Sequence, residues 1–284
     1  MGVLTVNTLN WCTLRNSAIS GAGAITKTGS GILRLSSANL FTGNISVSTG
    51  TLTVGNATAL GSTNGSTIIA NDARLDLNGY NLGAEPIIVQ GNGLGNAGAI
   101  VNSGGTQANA LRFVTLSNAT SFGGIKQWDI RANPTGRLAG NNFALTKTGV
   151  NRIDLANLGD TGLGGITISE GILGFQGNTT MGNPASTLSI ASSASLVITG
   201  TGANILNKVL SMSSGSISNL SGLNTILGTT TFSGSNTIDI AAATSLLMGG
   251  NIGGSGSLWK TTSGNLILTG TNNYSGVTVI NTGT

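Results

Sequence analysis

The residues of this chain that could do chemistry are its carboxylates. The sequence has eight of them and no histidine. A glycosidase needs two carboxylates held about 5 to 9.5 Å apart, and Asp129, Asp154 and Glu170 are spaced closely enough for a repeat of roughly 20 residues to bring them together. Alternation with apolar neighbours nevertheless points the strand carboxylates outward, into water. The sequence therefore predicts solvated outer faces, and neither a catalytic nor a calcium site, at Asp76, Asp129, Asp154 and Asp239.

Other kinds of site have few residues to build on. Without histidine, a serine triad lacks its base and a metal site lacks its commonest ligand. Cys12 is the single cysteine, which excludes an intrachain disulfide and a multi-cysteine metal site. The twelve Lys and Arg residues give a net charge of +4 but are scattered singly, with no cluster that would neutralise a phosphate track. We therefore predict a chain with no catalytic residue, no cofactor, no metal and no nucleic-acid partner.

Short strands must position these residues. Apolar residues alternate with Thr, Ser or Asp in short fragments, for example Ile45 and Val47 followed by Leu52 and Val54, and pairs of fragments recur about every 20 residues. Gly, Asn and Ser fill the corners, where sharp turns demand positive φ. Aromatic residues make up only 4% of the chain, so the core must be aliphatic. The sequence predicts an all-β fold, a parallel β-helix of about 14 turns of roughly 20 residues.

Internal repeats support this solenoid. The segment that begins at residue 23 aligns without a gap with residues 256–284, which places Lys27 over Lys260 and Leu35 over Leu268. A third, less regular copy spans residues 143–175 and carries Lys147 at the corresponding position. Self-similarity at long spacing indicates a repeat architecture. We therefore predict one solenoid over residues 1–284.

The sequence of the first copy, beginning "TKTGSGILRLSSANLFTG" at Thr26, resembles the autotransporter-associated β-strand repeat of bacterial secreted proteins. The resemblance is specific over residues 21–61 and 253–284 and weaker over residues 143–175. It implies a right-handed parallel β-helix that is exported and displayed on, or released from, the bacterial cell surface. It supplies no catalytic residues that could be transferred to this chain.

The two ends of the chain suggest a function. An open end of a solenoid exposes unpaired strands, and neither end here carries an obvious polar cap. We expect a non-catalytic extracellular structural protein whose subunits stack head to tail into a surface filament. The alternative is a segment of an autotransporter passenger or adhesin stalk, and a less favoured one is a β-helix enzyme acting on polysaccharides. The residues predicted to form the stacking ends are Val3, Leu4, Val6, Leu9, Val277, Val279 and Ile280.

These readings also predict the partners of the chain. The expected partner is a second copy of the chain or adjoining repeats of a longer one, and host or surface glycans are further candidates. No apolar run reaches the 18 to 20 residues of a membrane-spanning helix, so we expect no membrane insertion in this segment.

Overall fold

The fold is built almost entirely of short β-strands. The computed structural model describes residues 2–200 and 205–284. Within these ranges the chain forms thirty strands and one 3₁₀-helix, Leu94–Asn96. In chain order the strands are β1 (Val3–Asn7), β2 (Trp11–Leu14), β3 (Ala24–Thr28), β4 (Ile32–Leu35), β5 (Ile45–Val47), β6 (Gly50–Val54), β7 (Thr67–Ile69), β8 (Ala73–Asp76), β9 (Pro86–Gly91), β10 (Ile100–Val101), β11 (Phe113–Phe122), β12 (Trp128–Arg131), β13 (Arg137–Ala139), β14 (Leu145–Lys147), β15 (Arg152–Ala156), β16 (Ile166–Ile168), β17 (Gly171–Gln176), β18 (Thr187–Ile190), β19 (Ala194–Thr199), β20 (Ile205–Leu206), β21 (Val209–Ser213), β22 (Ser216–Ser221), β23 (Leu223–Ile226), β24 (Thr230–Ser233), β25 (Ser235–Ile240), β26 (Ser245–Met248), β27 (Ile252–Gly254), β28 (Ser257–Thr261), β29 (Asn265–Leu268) and β30 (Thr278–Ile280).

The chain crosses three faces in the same order on every turn. The first face holds β1, β3, β5, β7, β9, the start of β11 and β13, and later β20, β23, β26 and β29. The second face holds β2, β4, β6, β8, β10, the end of β11, β14, β16, β18, β21, β24 and β27. The third face holds β12, β15, β17, β19, β22, β25, β28 and β30. In earlier turns irregular segments continue the third face, as where the Asn39 N–H donates to the Thr58 carbonyl.

All of these pairings are parallel, so each strand lies on the equivalent strand of the preceding turn. The result is a parallel β-solenoid of about 12 turns. The predicted fold class is confirmed, and the predicted number of 14 turns is approximately right. At about 4.8 Å per turn the stack is a rod roughly 60 Å long.

Ladders of inward side chains fill the centre of the rod. Along each ladder one aliphatic side chain stacks on the equivalent residue of the next turn, and each buried aliphatic stabilises the fold by about 1.5 to 3 kcal/mol. The second-face ladder runs through Cys12, Leu33, Leu52, Leu75, Ile100, Phe122, Lys147, Ile168, Ile190, Met212 and Phe232. A lysine therefore occupies an otherwise apolar position in the middle of the core.

Glycine allows the backbone to stack closely at the corners. A Cβ on Gly43 would lie 2.3 Å from the carbonyl oxygen of Gly23, and one on Gly65 would lie 2.5 Å from that of Gly43. Any larger residue would force successive turns apart at this corner, which accounts for part of the glycine content. In the part of the chain that the structure describes, no helix has the length and apolarity that crossing a membrane would require.

Candidate functional site

A buried lysine socket lies at the corner that follows β3. The ammonium of Lys27 donates hydrogen bonds to the carbonyl oxygens of Thr28 at 3.1 Å and Gly29 at 2.7 Å, both on its own turn. Its third hydrogen bond reaches the carbonyl of Thr49 on the next turn, at 3.0 Å. The Lys27 side chain is fully buried. One side chain thus closes its own corner and joins two successive turns.

The other two repeat copies form the same socket. Lys147 donates to the carbonyls of Thr148, Gly149 and Glu170 at 2.9, 2.6 and 3.1 Å. For Lys260, which is buried to the same degree, the three carbonyl acceptors lie at 2.9, 2.6 and 3.1 Å and belong to Thr261, Thr262 and Thr282. The alignment of the three lysines in sequence therefore corresponds to one recurring arrangement of hydrogen bonds.

A glycine with positive φ closes each socket. Gly50 has φ of 74°, and a Cβ there would lie 2.7 Å from the Lys27 ammonium. Gly283 has φ of 79°, and a Cβ there would lie 2.9 Å from the Lys260 ammonium. Each of these glycines directly follows the residue whose carbonyl accepts the bond between turns. The lysine and the glycine are thus two parts of one structural unit.

The ammonium groups of the socket lysines donate to backbone carbonyls and not to carboxylates. Burial lowers the pKa of Lys147 to about 8, and the Glu170 carboxylate acts in the opposite direction. Burial also lowers the pKa of Lys27 and of Lys260. Because each N–H of these ammonium groups already has a carbonyl acceptor, the lysines hold corners together and have no open side for a substrate.

Two of the carboxylates considered for catalysis lie side by side but are covered. Asp129 of β12 pairs in register with Asp154 of β15. Asp129 binds the guanidinium of Arg131 at 2.6 Å, and Asp154 binds that of Arg152 at 2.9 Å. The prediction that Asp129 and Asp154 point into water is wrong, since both carboxylate side chains are only 2% exposed. They face outward as the alternation indicates, but neighbouring turns cover them.

The covering groups come from distant positions in the sequence. The backbone N–H of Ala110 donates to Asp129 at 2.8 Å, and the amide of Gln127 donates to Asp154 at 3.1 Å. Burial raises the pKa of Asp129, while the Ala110 hydrogen bond and Arg131 act against that shift. Each carboxylate is used to hold strands of the third face together and is not open to a substrate.

Glu170 does not complete this pair. It lies at the corner before β17, four residues ahead of Gly174, the residue that pairs with Asp154. In the described ranges no group of three His, Cys, Asp or Glu residues is placed to hold a metal ion. The set Asp129, Asp154 and Glu170 is therefore not brought together as a catalytic or calcium site.

Two other carboxylates are also buried. Asp76 accepts hydrogen bonds from the backbone N–H groups of Asn78 and Ser103, each at 3.0 Å, and from the Ser103 hydroxyl at 2.6 Å. It fastens two corners together, so the prediction of a solvated outer face at Asp76 is wrong. Glu85 receives a 2.8 Å hydrogen bond from the hydroxyl of Thr67, and burial raises its pKa to about 7. Asp239 is half-buried.

An open groove of about 470 Å³ lies beside the 3₁₀-helix. Exposed aliphatic side chains, Ile125 and Val150, form part of its floor. The guanidinium of Arg74 lines it but is engaged with the carbonyl of Leu94, so this cation holds the loop that forms the wall.

The predicted stacking residues lie in the first and last turns. β1 pairs with β3, and β30 pairs with β28, which leaves the outer edge of each end turn without a partner strand in the described residues. Leu4 is 46% exposed and Ile280 is 60% exposed, whereas their register partners one turn inward, Ile25 and Lys260, are buried. The side chains at these edges are Val3, Leu4, Val6, Leu9, Val277, Val279 and Ile280.

The comparison with protein families agrees with the repeat geometry. Residues 25–54 and 260–284 match the family model described as passenger-associated-transport-repeat. The resemblance to autotransporter passenger repeats is confirmed. The first matched segment contains Lys27 and Gly50, and the second begins at Lys260 and contains Gly283, so each match includes a complete lysine socket. The copy around Lys147 lies outside the matched segments but forms the same socket.

A curated relative matches part of the chain. It is the adhesin BmaC autotransporter of Brucella suis biovar 1 (strain 1330), which is 37% identical over 119 residues. The aligned region is 40% of this chain and only 3% of the adhesin. The comparison with solved structures gives no match.

Proposed function

We propose that this chain is a stretch of a non-catalytic passenger stalk, displayed on the bacterial cell surface in the manner of an autotransporter adhesin. The observation that carries the proposal is the recurrence of the lysine socket. Five further strands, β5, β7, β9, β11 and β13, stack in succession on the strand of Lys27. Lys147 follows on the next face of the last of these turns, in β14. Five strands, β16, β18, β21, β24 and β27, likewise stack in succession on the strand of Lys147. Lys260 follows on the next face of the last of these turns, in β28.

A unit that repeats in this way can extend a rod without limit. Each added unit needs only the corner of the preceding one, because a solenoid turn contacts only its neighbours. Such a rod holds other parts of a long protein at a distance from the cell. The 3% share of the adhesin that aligns with this chain agrees with a short stretch of a much longer stalk.

The partner we assign to the end turns is an adjoining turn of the same kind. An incoming strand would pair with the outer edge of β1 or of β30 and cover the apolar side chains there, Val3 and Leu4 at one end and Val277 and Ile280 at the other. A second copy of the chain could occupy the same edges, which would produce the head-to-tail filament.

Electron microscopy of the purified chain over a concentration series separates these two assemblies. We expect discrete rods of roughly 60 Å at every concentration if adjoining turns of one polypeptide are the natural partner. Long fibres with an axial repeat of that length would instead support the filament and overturn the stalk. As a control, Val3→Lys combined with Ile280→Lys places like charges on the two edges that would meet and should abolish any fibres.

Surface display needs a separate measurement. An antiserum against the purified chain should label intact cells of the organism that produces it, and added protease should remove that label. Label that appears only after lysis would place the chain inside the cell and contradict the proposal.

A further inference from the structure

A cationic patch lies on the outer side of the second face, across its first two turns. Cys12 and Leu14 of β2 pack against the core, so their neighbours in the strand, Trp11 and Thr13, face outward. Arg34 of β4 pairs in register with Thr13 and faces outward beside it. The next pair continues the ladder, since the backbone N–H of Ser36 donates to the Leu14 carbonyl and sets Ser36 beside Arg15.

These side chains surround one shallow depression. It has a volume of about 440 Å³ and is lined by Thr13, Arg15, Asn16, Arg34 and Ser36. Arg15 and Arg34 lie on adjacent turns and are offset by two residues, so their Cα atoms are about 8 Å apart. Two guanidinium groups, two hydroxyls and one amide therefore line a single depression that includes no apolar side chain.

No carboxylate neutralises the two arginines. The first acidic residue in the sequence is Asp72, and in the described part of the chain neither Arg15 nor Arg34 forms an ion pair. The Nε of Arg34 is buried and has no hydrogen-bond partner within those residues. By contrast, Arg131 and Arg152 on the third face each bind an aspartate. An anion supplied from outside would provide an ionic partner for the exposed Arg15 and the half-buried Arg34.

An exposed indole ring lies on the same outer side of β2 as the depression. Trp11 is 59% exposed, and its N–H donates to the hydroxyl of Thr13 at 2.9 Å, which connects the ring to a residue that lines the depression. Trp128, by contrast, is fully buried. A fixed, exposed indole offers a flat apolar surface that can pack against the C–H face of a sugar ring.

We propose that Trp11, Arg15 and Arg34 form a binding site for an acidic polysaccharide. The two guanidinium groups bind a sulfate or carboxylate oxyanion, the hydroxyls of Thr13 and Ser36 add hydrogen bonds, and the indole packs on the adjacent sugar. Two cations fit one or two anionic groups of a glycan, whereas a nucleic-acid track requires a longer row of cations. This inference rests on the proposed function in one respect: display on the cell surface is what would bring the chain into contact with polysaccharides.

The test is direct binding of heparin to the purified chain, measured by calorimetry at moderate salt, with neutral dextran as the uncharged control. The site variant is Arg15→Ala with Arg34→Ala. Its matched control is Lys126→Ala with Arg137→Ala, two exposed cations elsewhere on the rod whose loss changes net charge equally. We expect the site variant to weaken heparin binding by about tenfold or more, and the control variant by less than about threefold. Equal losses in the two variants would overturn the proposal.

Trp11→Ala distinguishes a sugar site from a bare anion site. It should weaken heparin binding severalfold and leave the weak binding of inorganic sulfate unchanged. Loss of sulfate binding in this variant, or equally good binding of a DNA duplex in place of heparin, would overturn the assignment to a polysaccharide. Failure of these binding tests would leave the stalk proposal intact, because that proposal is tested by electron microscopy and surface labelling.

Discussion

Lys27 and Lys260 make the same three hydrogen bonds although they lie on different faces of the solenoid. Lys27 belongs to the first face and Lys260 to the third, and Lys147 lies between them on the second. In each case the ammonium bonds the carbonyls of the next two residues and one carbonyl of the following turn. The three corners are therefore locally equivalent, and the repeat need not contain a whole number of turns.

Removal of one socket lysine should destabilise the rod. Lys147→Met keeps most of the side-chain volume but leaves the partly buried carbonyls of Thr148, Gly149 and Glu170 without the lysine donor. Because hydrogen bonds to a charged group contribute about 1.5 to 3 kcal/mol each, and desolvation of the ammonium offsets part of this, we expect the free energy of unfolding to fall by about 3 kcal/mol. Urea unfolding followed by circular dichroism measures the loss.

The matched control is Lys126→Met. Lys126 is an exposed lysine one turn before Lys147, so its replacement removes the same charge without opening a socket. It should change the urea midpoint very little. Equal midpoints for the two variants would mean that the socket adds nothing to stability.

The socket glycine should be as sensitive as the lysine. Gly171 has φ of 68°, and a Cβ there would lie 2.4 Å from the carbonyl oxygen of Gly149, one of the acceptors of Lys147. Gly171→Ala combines an unfavourable backbone conformation with this overlap. Gly159 has a similar φ of 65° but open space around its Cα. Gly159→Ala should cost only the conformational term, about 1 kcal/mol, and Gly171→Ala clearly more. A thermal melt of each variant measures the difference, and equal melting temperatures would contradict the close-packed socket.

Much of this architecture could be predicted from the sequence. Period-2 fragments such as Ile45 to Val47, with glycine-rich corners between them, correctly indicate a parallel solenoid, because the pattern records which side chains face inward. The alignment of Lys27 with Lys260 identified the socket positions. It did not reveal their role, because a lysine in a polar-looking segment gives no sign that backbone carbonyls surround it.

The covered carboxylates show where sequence reasoning failed. Alternation correctly places Asp129 on the outer side of its strand, but it does not record what lies over that side. Arg131 and the backbone N–H of Ala110 provide the cover, and Ala110 belongs to the preceding turn. The patch at Trp11, Arg15 and Arg34 was missed for the same reason, since the register between turns brings its arginines together.

In the Asp129–Arg131 pair, a second substitution at Asp129 should restore part of the stability that is lost when Arg131 is replaced. Arg131→Ala leaves a buried carboxylate without its cation and should lower the free energy of unfolding by about 3 kcal/mol. Asp129→Asn, added to Arg131→Ala, removes the uncompensated charge while its side-chain oxygen still accepts from the Ala110 N–H. The double variant should therefore be more stable than Arg131→Ala alone at neutral pH. A double variant less stable than the single one would indicate that the carboxylate is solvated.

Glu85 should make the stability of the rod depend on pH. Its pKa rises from an ordinary value of 4.5 to about 7 in the folded chain because the carboxyl is buried, and the hydrogen bond from Thr67 acts against this rise. The folded state therefore holds this proton more tightly than the unfolded state. The stabilisation is fully present below about pH 4.5 and is lost as pH rises through about 7. Its magnitude is on the order of 3 kcal/mol.

Glu85→Gln isolates this contribution, because the amide has the shape of the protonated acid and does not titrate. We expect the variant and the natural chain to have similar urea midpoints at pH 4.5, and the variant to be the more stable of the two at pH 8. Asp160→Asn, at an exposed aspartate, is the matched control and should show no such divergence. If the difference between Glu85→Gln and the natural chain were the same at both pH values, the pKa of Glu85 would not be raised in the folded chain. Solvent would then have to reach its carboxyl despite the contact with Thr67.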